Sequence, residues 1–220
     1  MTVLTKDHIP PDRQDQAVAP TTGTDVVRLP RRKIDRLLVA FGVIAAVVFV
    51  IAGGLLSWGA NFADDYVQDE LSAQNIVFPD EGELVEEGRD DLVPFAGEQV
   101  TSGEQAEAYA SYIGGHLEGV ADGQTYAEID DRGAAAAVTA AEEAGAPADE
   151  IAELQATADE LKGQRDTLFK GETLRGLLLS SYAWSTMGRI AGIAAWVAFA
   201  GAAVMAALVV AGVVHMRRTA

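Results

Sequence analysis

Two long uncharged stretches dominate the hydrophobic pattern of the chain. Residues 37–58 (LLVAFGVIAAVVFVIAGGLLSW) and residues 190–214 contain no Asp, Glu, Lys or Arg. At a helical rise of about 1.5 Å per residue the shorter stretch covers roughly 33 Å, close to the ~30 Å hydrocarbon core of a bilayer. A core helix of a soluble domain keeps a polar face over such a length and these stretches have none, so both are expected to be transmembrane helices. The first is too long for the apolar region of a signal peptide, has 36 residues before it, and lacks a small-x-small cleavage site after it; it reads as an uncleaved anchor.

Between the two stretches the pattern changes to helical periodicity. Thr101 with Glu104, and Ser102 with Gln105, offer overlapping capping boxes, followed by Ala106, Tyr109, Ala110, Ile113, Leu117 and Val120 at steps of three and four. Thr125 with Glu128 is expected to cap a second helix that runs through the alanine tract to about Ala144. Gly145-Ala146-Pro147 breaks it, with Pro147 suited to the first position of the next helix. That helix carries Leu154, Leu161 and Leu168 seven apart, with Arg165 in the same seam, a spacing that fits a coiled coil or a bundle. Phe62, Tyr66, Leu71 and Ile76 extend the first span outward until Phe78-Pro79-Asp80, and Leu177 to Leu179 lead the last outer helix into the second span. Gly82, Gly88 and Pro94 mark an irregular stretch over residues 79–97, and no strand alternation is present. The fold class is therefore all-α: two transmembrane helices with a mostly helical, acidic extracytoplasmic domain between them. The domain reading is 1–36 a disordered tail rich in Pro, Thr and Gln, 37–58 the first span, 59–189 the acidic domain, 190–214 the second span, and 215–220 a short tail.

Charge adds orientation and exclusions. The 220 residues carry 33 acids and 16 bases, net -17, and no cysteine. Residues 59–188 hold 28 of the acids and only Arg89, Arg132, Lys162, Arg165, Lys170 and Arg175 as bases. So acidic a surface excludes a nucleic-acid binder. It fits solubility, a basic partner or cations. The missing cysteines exclude disulfides, thiolate metal sites and a Cys nucleophile. Arg28, Arg31, Arg32, Lys33 and Arg36 precede the first span and only acids follow it, so the positive-inside rule puts both termini in the cytoplasm of a plasma-membrane protein. Arg165, Lys170, Arg175 and Arg189, before the second span, run against this rule, but the first span usually dominates. Arg189 is placed to snorkel to the headgroups, and Trp58, Tyr182, Trp184 and Trp196 to form an outer aromatic belt.

Chemistry-bearing constellations are few. Of His8, His116 and His215 only His116 lies on the outer side, so one copy cannot supply two histidines and a carboxylate to an iron there. His116 also lacks a nucleophile elbow beside it, and no phosphate-binding glycine loop occurs. Asp64-Asp65, Asp69-Glu70, Asp130-Asp131 and Glu142-Glu143 are acidic pairs without a calcium-loop pattern. Neither span holds an internal ionisable residue of the kind transporters use. Gly188, Gly192, Ala194, Ala198, Ala202 and Ala206 form a ladder of small residues suited to close helix packing. Its partner is either the first span, through Gly42, Ala46, Gly53 and Gly54, or another subunit or second copy.

The runs FADDYVQDELSAQNIVFP, FAGEQV, QAEAYASYIGGHLEGVADGQTYAEI and LFKGETLRGLLLSSYAWSTMG resemble a family of actinobacterial two-span membrane proteins. Members often carry the label "aromatic ring-opening dioxygenase" (small subunit). The resemblance covers about residues 37–214, and GETLRG at 171–176 and GQTYAE at 123–128 are its most specific parts. It implies two spans and, by the label, a subunit of an iron-dependent ring-opening enzyme; it brings no defined catalytic residues. The residues themselves point to a non-enzymatic structural or accessory envelope subunit that sits in the lipid bilayer, without catalytic, cofactor-binding or metal residues and without a cofactor. The alternatives are the dioxygenase subunit of the label and an extracytoplasmic cation-responsive or sensor module.

Overall fold

The computed structural model describes residues 31–218, which form α1 (Arg31–Gln74), α2 (Glu81–Glu86), a 3₁₀ turn (Asp90–Phe95), α3 (Gly103–Val120), α4 (Asp131–Ala144) and α5 (Ala148–Arg218). No strand occurs among them, and the nearest approach to a sheet is an isolated antiparallel bridge between Val77 and Gln99. The all-α expectation holds. Helix α1 already includes residues 31–36, which the sequence reading gave to the tail; the rest of that expected tail lies outside the described residues.

The frame is an antiparallel hairpin of α1 and α5. Gly212 lies opposite Val39, Gly42 opposite Val209, Gly53 opposite Phe199, Gly192 opposite Ala60, and Gly188 opposite Ala60 and Ala63. This register persists beyond the apolar stretches, because Ala63, Val67 and Leu71 keep four-residue spacing and are buried. The expected outward extensions are therefore both present, and α5 runs unbroken for 71 residues, about 106 Å at ~1.5 Å per residue. Helix α1 ends at Gln74, four residues before Phe78, and the next residue, Asn75, has a φ of 52° that supplies the left-handed turn Asn tolerates after a helix.

The outer core sits on this hairpin. Val67, Leu71 and Leu178 from the two long helices meet Phe78, Leu84, Leu92, Val100, Ala106 and Ala110. Phe78 stacks on Phe95 at 5.4 Å and meets the edge of Tyr109 at 5.2 Å. Residues 79–97 are more regular than expected. Asp80 caps α2 by accepting from the Glu83 amide, and Arg89 grips Asp91 with two bonds while donating to the Ser111 carbonyl and hydroxyl on α3.

Of the two overlapping boxes, Ser102 with Gln105 caps α3. Gln105 Oε1 accepts from the backbone of both Thr101 and Ser102, which leaves Thr101 with Glu104 unused. Only half of the Thr125–Glu128 box forms: the Glu128 carboxylate accepts from the Thr125 amide at 2.7 Å and from its hydroxyl, while the Glu128 amide bonds the Thr125 carbonyl, so the pair closes a turn. Asp130 instead caps α4, through the Gly133 amide, because the chain turns again before Asp131. Gly145, φ 69°, ends α4. Pro147 stands one residue earlier than expected, its carbonyl accepting from Ile151 as the cap of α5. The leucine seam is a bundle seam: Leu168 is buried with Leu117, Ala121 and Ile129, and Leu161 packs against them.

Candidate functional site

Much of the surface of α1 and α5 is free of Lys, Arg, Asp and Glu. Only 11% of the most apolar window of α1, and 11% of that of α5, is buried within the fold. Phe41, Ile44, Val48 and Leu55 on α1, and Ile190, Ile193, Val197 and Leu208 on α5, all face outward. Both helices are long and apolar enough to cross a membrane. Small residues line the seam between them: Gly42 and Gly53 on α1, and Gly188, Ala195, Ala198 and Ala202 on α5, are buried. The seam steps by three and four, so Ala195 replaces the expected Ala194, which is half-buried, and Ala206 and Gly54 face outward. Within one chain, then, the ladder packs α1 against α5.

Two recesses flank the hairpin where it meets the smaller helices, one beyond the apolar stretches and one at their edge. One is a groove lined by Tyr66, Leu71, Ile76, Leu174, Leu177 and Trp184, with Glu70 as its single charge. Trp58, Phe62 and Tyr66 lead up to it as an exposed stack with ring centroids 5.8 and 6.1 Å apart. Trp58, Trp184 and Trp196 of the expected belt are exposed, whereas Tyr182 is half-buried, its backbone under Gly103. The other recess, toward α3, brings Arg189 together with Asp64 and Glu104. Sequence reasoning did not join these three, since only the α1–α5 register and the seat of α3 make them neighbours.

His116 lies on the outer surface of α3. Its Nε2 is 3.3 Å from a Glu87 oxygen and its Nδ1 3.1 Å from the Tyr112 carbonyl, with the Tyr112 ring 4.5 Å away. Burial, reinforced by the Glu87 and Glu83 carboxylates, pushes the Tyr112 phenol up to about 12. Arg89 and Gly115 complete the shallow surroundings. The label's iron does not fit this set: an arginine, one histidine and one carboxylate face each other, and among the described residues no three His, Asp or Glu side chains converge as metal ligands. Asp64, Asp65, Asp69 and Glu70 likewise do not converge.

A second polar cluster joins α4 to α5. Arg165 pairs with Asp131 and donates to the Tyr126 hydroxyl at 3.2 Å, its guanidinium 4.6 Å above the Tyr126 ring. The bond from Arg165 holds the Asp131 carboxyl below its usual range. The Tyr126 and Asp131 bonds raise Arg165 in turn. This Arg was placed in the seam by its spacing; its partners, 34 and 39 residues away, had no local signal.

No family model, curated protein or solved structure matches the chain.

Proposed function

We propose that the chain is a two-span plasma-membrane protein whose residues 59–189 form an acidic helical domain outside the cytoplasm, with both termini inside, and that it acts as a non-enzymatic accessory or structural subunit of the cell envelope. One observation carries this reading. The most apolar parts of α1 and α5 turn their large side chains outward, so these helices are not the core of a water-soluble fold, and α1 continues into packed structure as a removable leader would not. The flanking charges support the orientation. The half-open groove beside Tyr66, Leu177 and Trp184 is an apolar interruption in an acidic surface and suits contact with another membrane protein. Two long apolar helices are compatible with the two-span family the chain resembles; the enzyme reading attached to that family gains no support from the donors around His116.

Crosslinking and gentle co-purification from native membranes test the role. The reading expects a defined membrane-protein partner or a homo-oligomer in stoichiometric amount. Stoichiometric iron, with cleavage of catechol-type rings that is lost in His116→Ala, would replace it with the enzyme reading.

A further inference from the structure

We propose that the recess between α1, α5 and the first turn of α3 binds the headgroup of a zwitterionic aminophospholipid, Arg189 meeting the phosphate and Asp64 and Glu104 the primary ammonium. The inference rests on the membrane reading above. Arg189 is the first charged residue outward of the uncharged 190–214 stretch, and on this reading it sits at headgroup level. Below it in the same recess, Ile193 and Trp196 are exposed, and on this reading they face the acyl region. One recess thus offers a cation and two carboxylates above an apolar lower edge, the groups that a zwitterionic phospholipid headgroup and its glycerol end require.

The charges are open to a ligand. No ion pair among the described residues involves Arg189, Asp64 or Glu104, although all three line one recess of about 470 Å³, within the roughly 300–1,000 Å³ of ligand sites. Opposite charges that share a cleft without touching leave space for a molecule that carries both signs. The walls are fixed by close packing: a Cβ on Gly188 would lie 3.3 Å from the Ala60 carbonyl oxygen, and a Cβ on Gly103 would strike Ser185.

The same set gives selectivity. Two carboxylates against one guanidinium repel a headgroup with net negative charge. A primary ammonium donates up to three hydrogen bonds to them, whereas a quaternary ammonium donates none.

The test uses the full chain reconstituted in nanodiscs of equal parts phosphatidylethanolamine, phosphatidylcholine and phosphatidylglycerol, followed by native mass spectrometry of the lipids retained in mild detergent. Phosphatidylethanolamine should be retained about three- to five-fold over each of the others, the ratio expected of one partly exposed charge-assisted contact. Asp64→Asn with Glu104→Gln should abolish the preference over phosphatidylcholine, and Arg189→Gln should abolish enrichment, while Asp69→Asn, outside the recess, should change neither. Circular dichroism equal to the native chain certifies the variants. Soluble glycerophosphoethanolamine at millimolar concentration should not displace the lipid; displacement would assign the site to a soluble ligand and overturn the lipid proposal. Equal retention of the three lipids by a chain that has inserted overturns this inference alone, and failure of the chain to insert overturns the membrane reading with it.

Discussion

Replacing Gly103 by Ala adds one methyl group where α3 is seated on α5. The new Cβ would lie 2.3 Å from Ser185 Cβ, 2.7 Å from its hydroxyl and 3.3 Å from the Tyr182 Cα. These are rigid atoms close to the α5 backbone, so the first turn of α3 must move away. Overpacking of this kind costs about 1–3 kcal/mol. The gain from removing a helical glycine, roughly 0.5–1 kcal/mol, offsets part of it. A net loss of about 1 kcal/mol is expected where α3 packs on the hairpin, with the apolar parts of α1 and α5 unaffected. The same change at Gly176 on α5 meets nothing within 4 Å and should stabilise by the propensity term alone, up to about 1 kcal/mol. Urea unfolding in detergent, followed by near-ultraviolet circular dichroism of the tyrosines, reads both, and hydrogen exchange of α3 amides localises the change. Ser185→Gly removes the opposing Cβ and should restore much of the loss in the double variant. If Gly103→Ala is as stable as the native chain, or Ser185→Gly fails to restore it, the close seating of α3 is wrong.

Leu84 is completely buried where α2 closes the outer core, so Leu84→Ala should cost about 2–5 kcal/mol by the same unfolding assay, and Val85→Ala, half-exposed beside it, should cost far less. Acid should loosen α4 from α5. The Asp131 carboxyl holds its proton less readily in the folded chain than in the unfolded one, so its pairing stabilises the fold above the ordinary carboxylate range and is lost as pH falls through the lower folded value. Exchange of α4 amides should rise in that window in the native chain and lose this step in Arg165→Gln. Ala198→Leu with Ala202→Leu places bulk in the buried seam between the spans, so it should preserve insertion yet weaken crosslinking between cysteines introduced on α1 and α5; unchanged crosslinking would refute the seam.

Much of the fold was legible because its signals are local. Charge-free length marks the two long apolar helices, Ser102 and Gln105 mark the start of α3, and Gly145 marks the end of α4. Local signals mislead where two compete: Thr125 and Glu128 make half of a capping box around a turn, yet Asp130 lies closer to the alanine tract and caps it. The small-residue ladder follows four-residue steps in the sequence, whereas a helical seam drifts and takes Ala195 in place of Ala194. What sequence could not supply was the meeting of distant residues. Arg89 reaches Ser111 22 positions away, and Arg189 shares a recess with Asp64 only because α1 and α5 pack in one register.

The membrane topology is the central claim, and a reporter active only outside the cytoplasm tests it most directly. Fused at about residue 120, within α3, it should be active in intact cells, while fusions at either terminus should be silent. Activity at the C-terminus with silence at residue 120 would contradict the account.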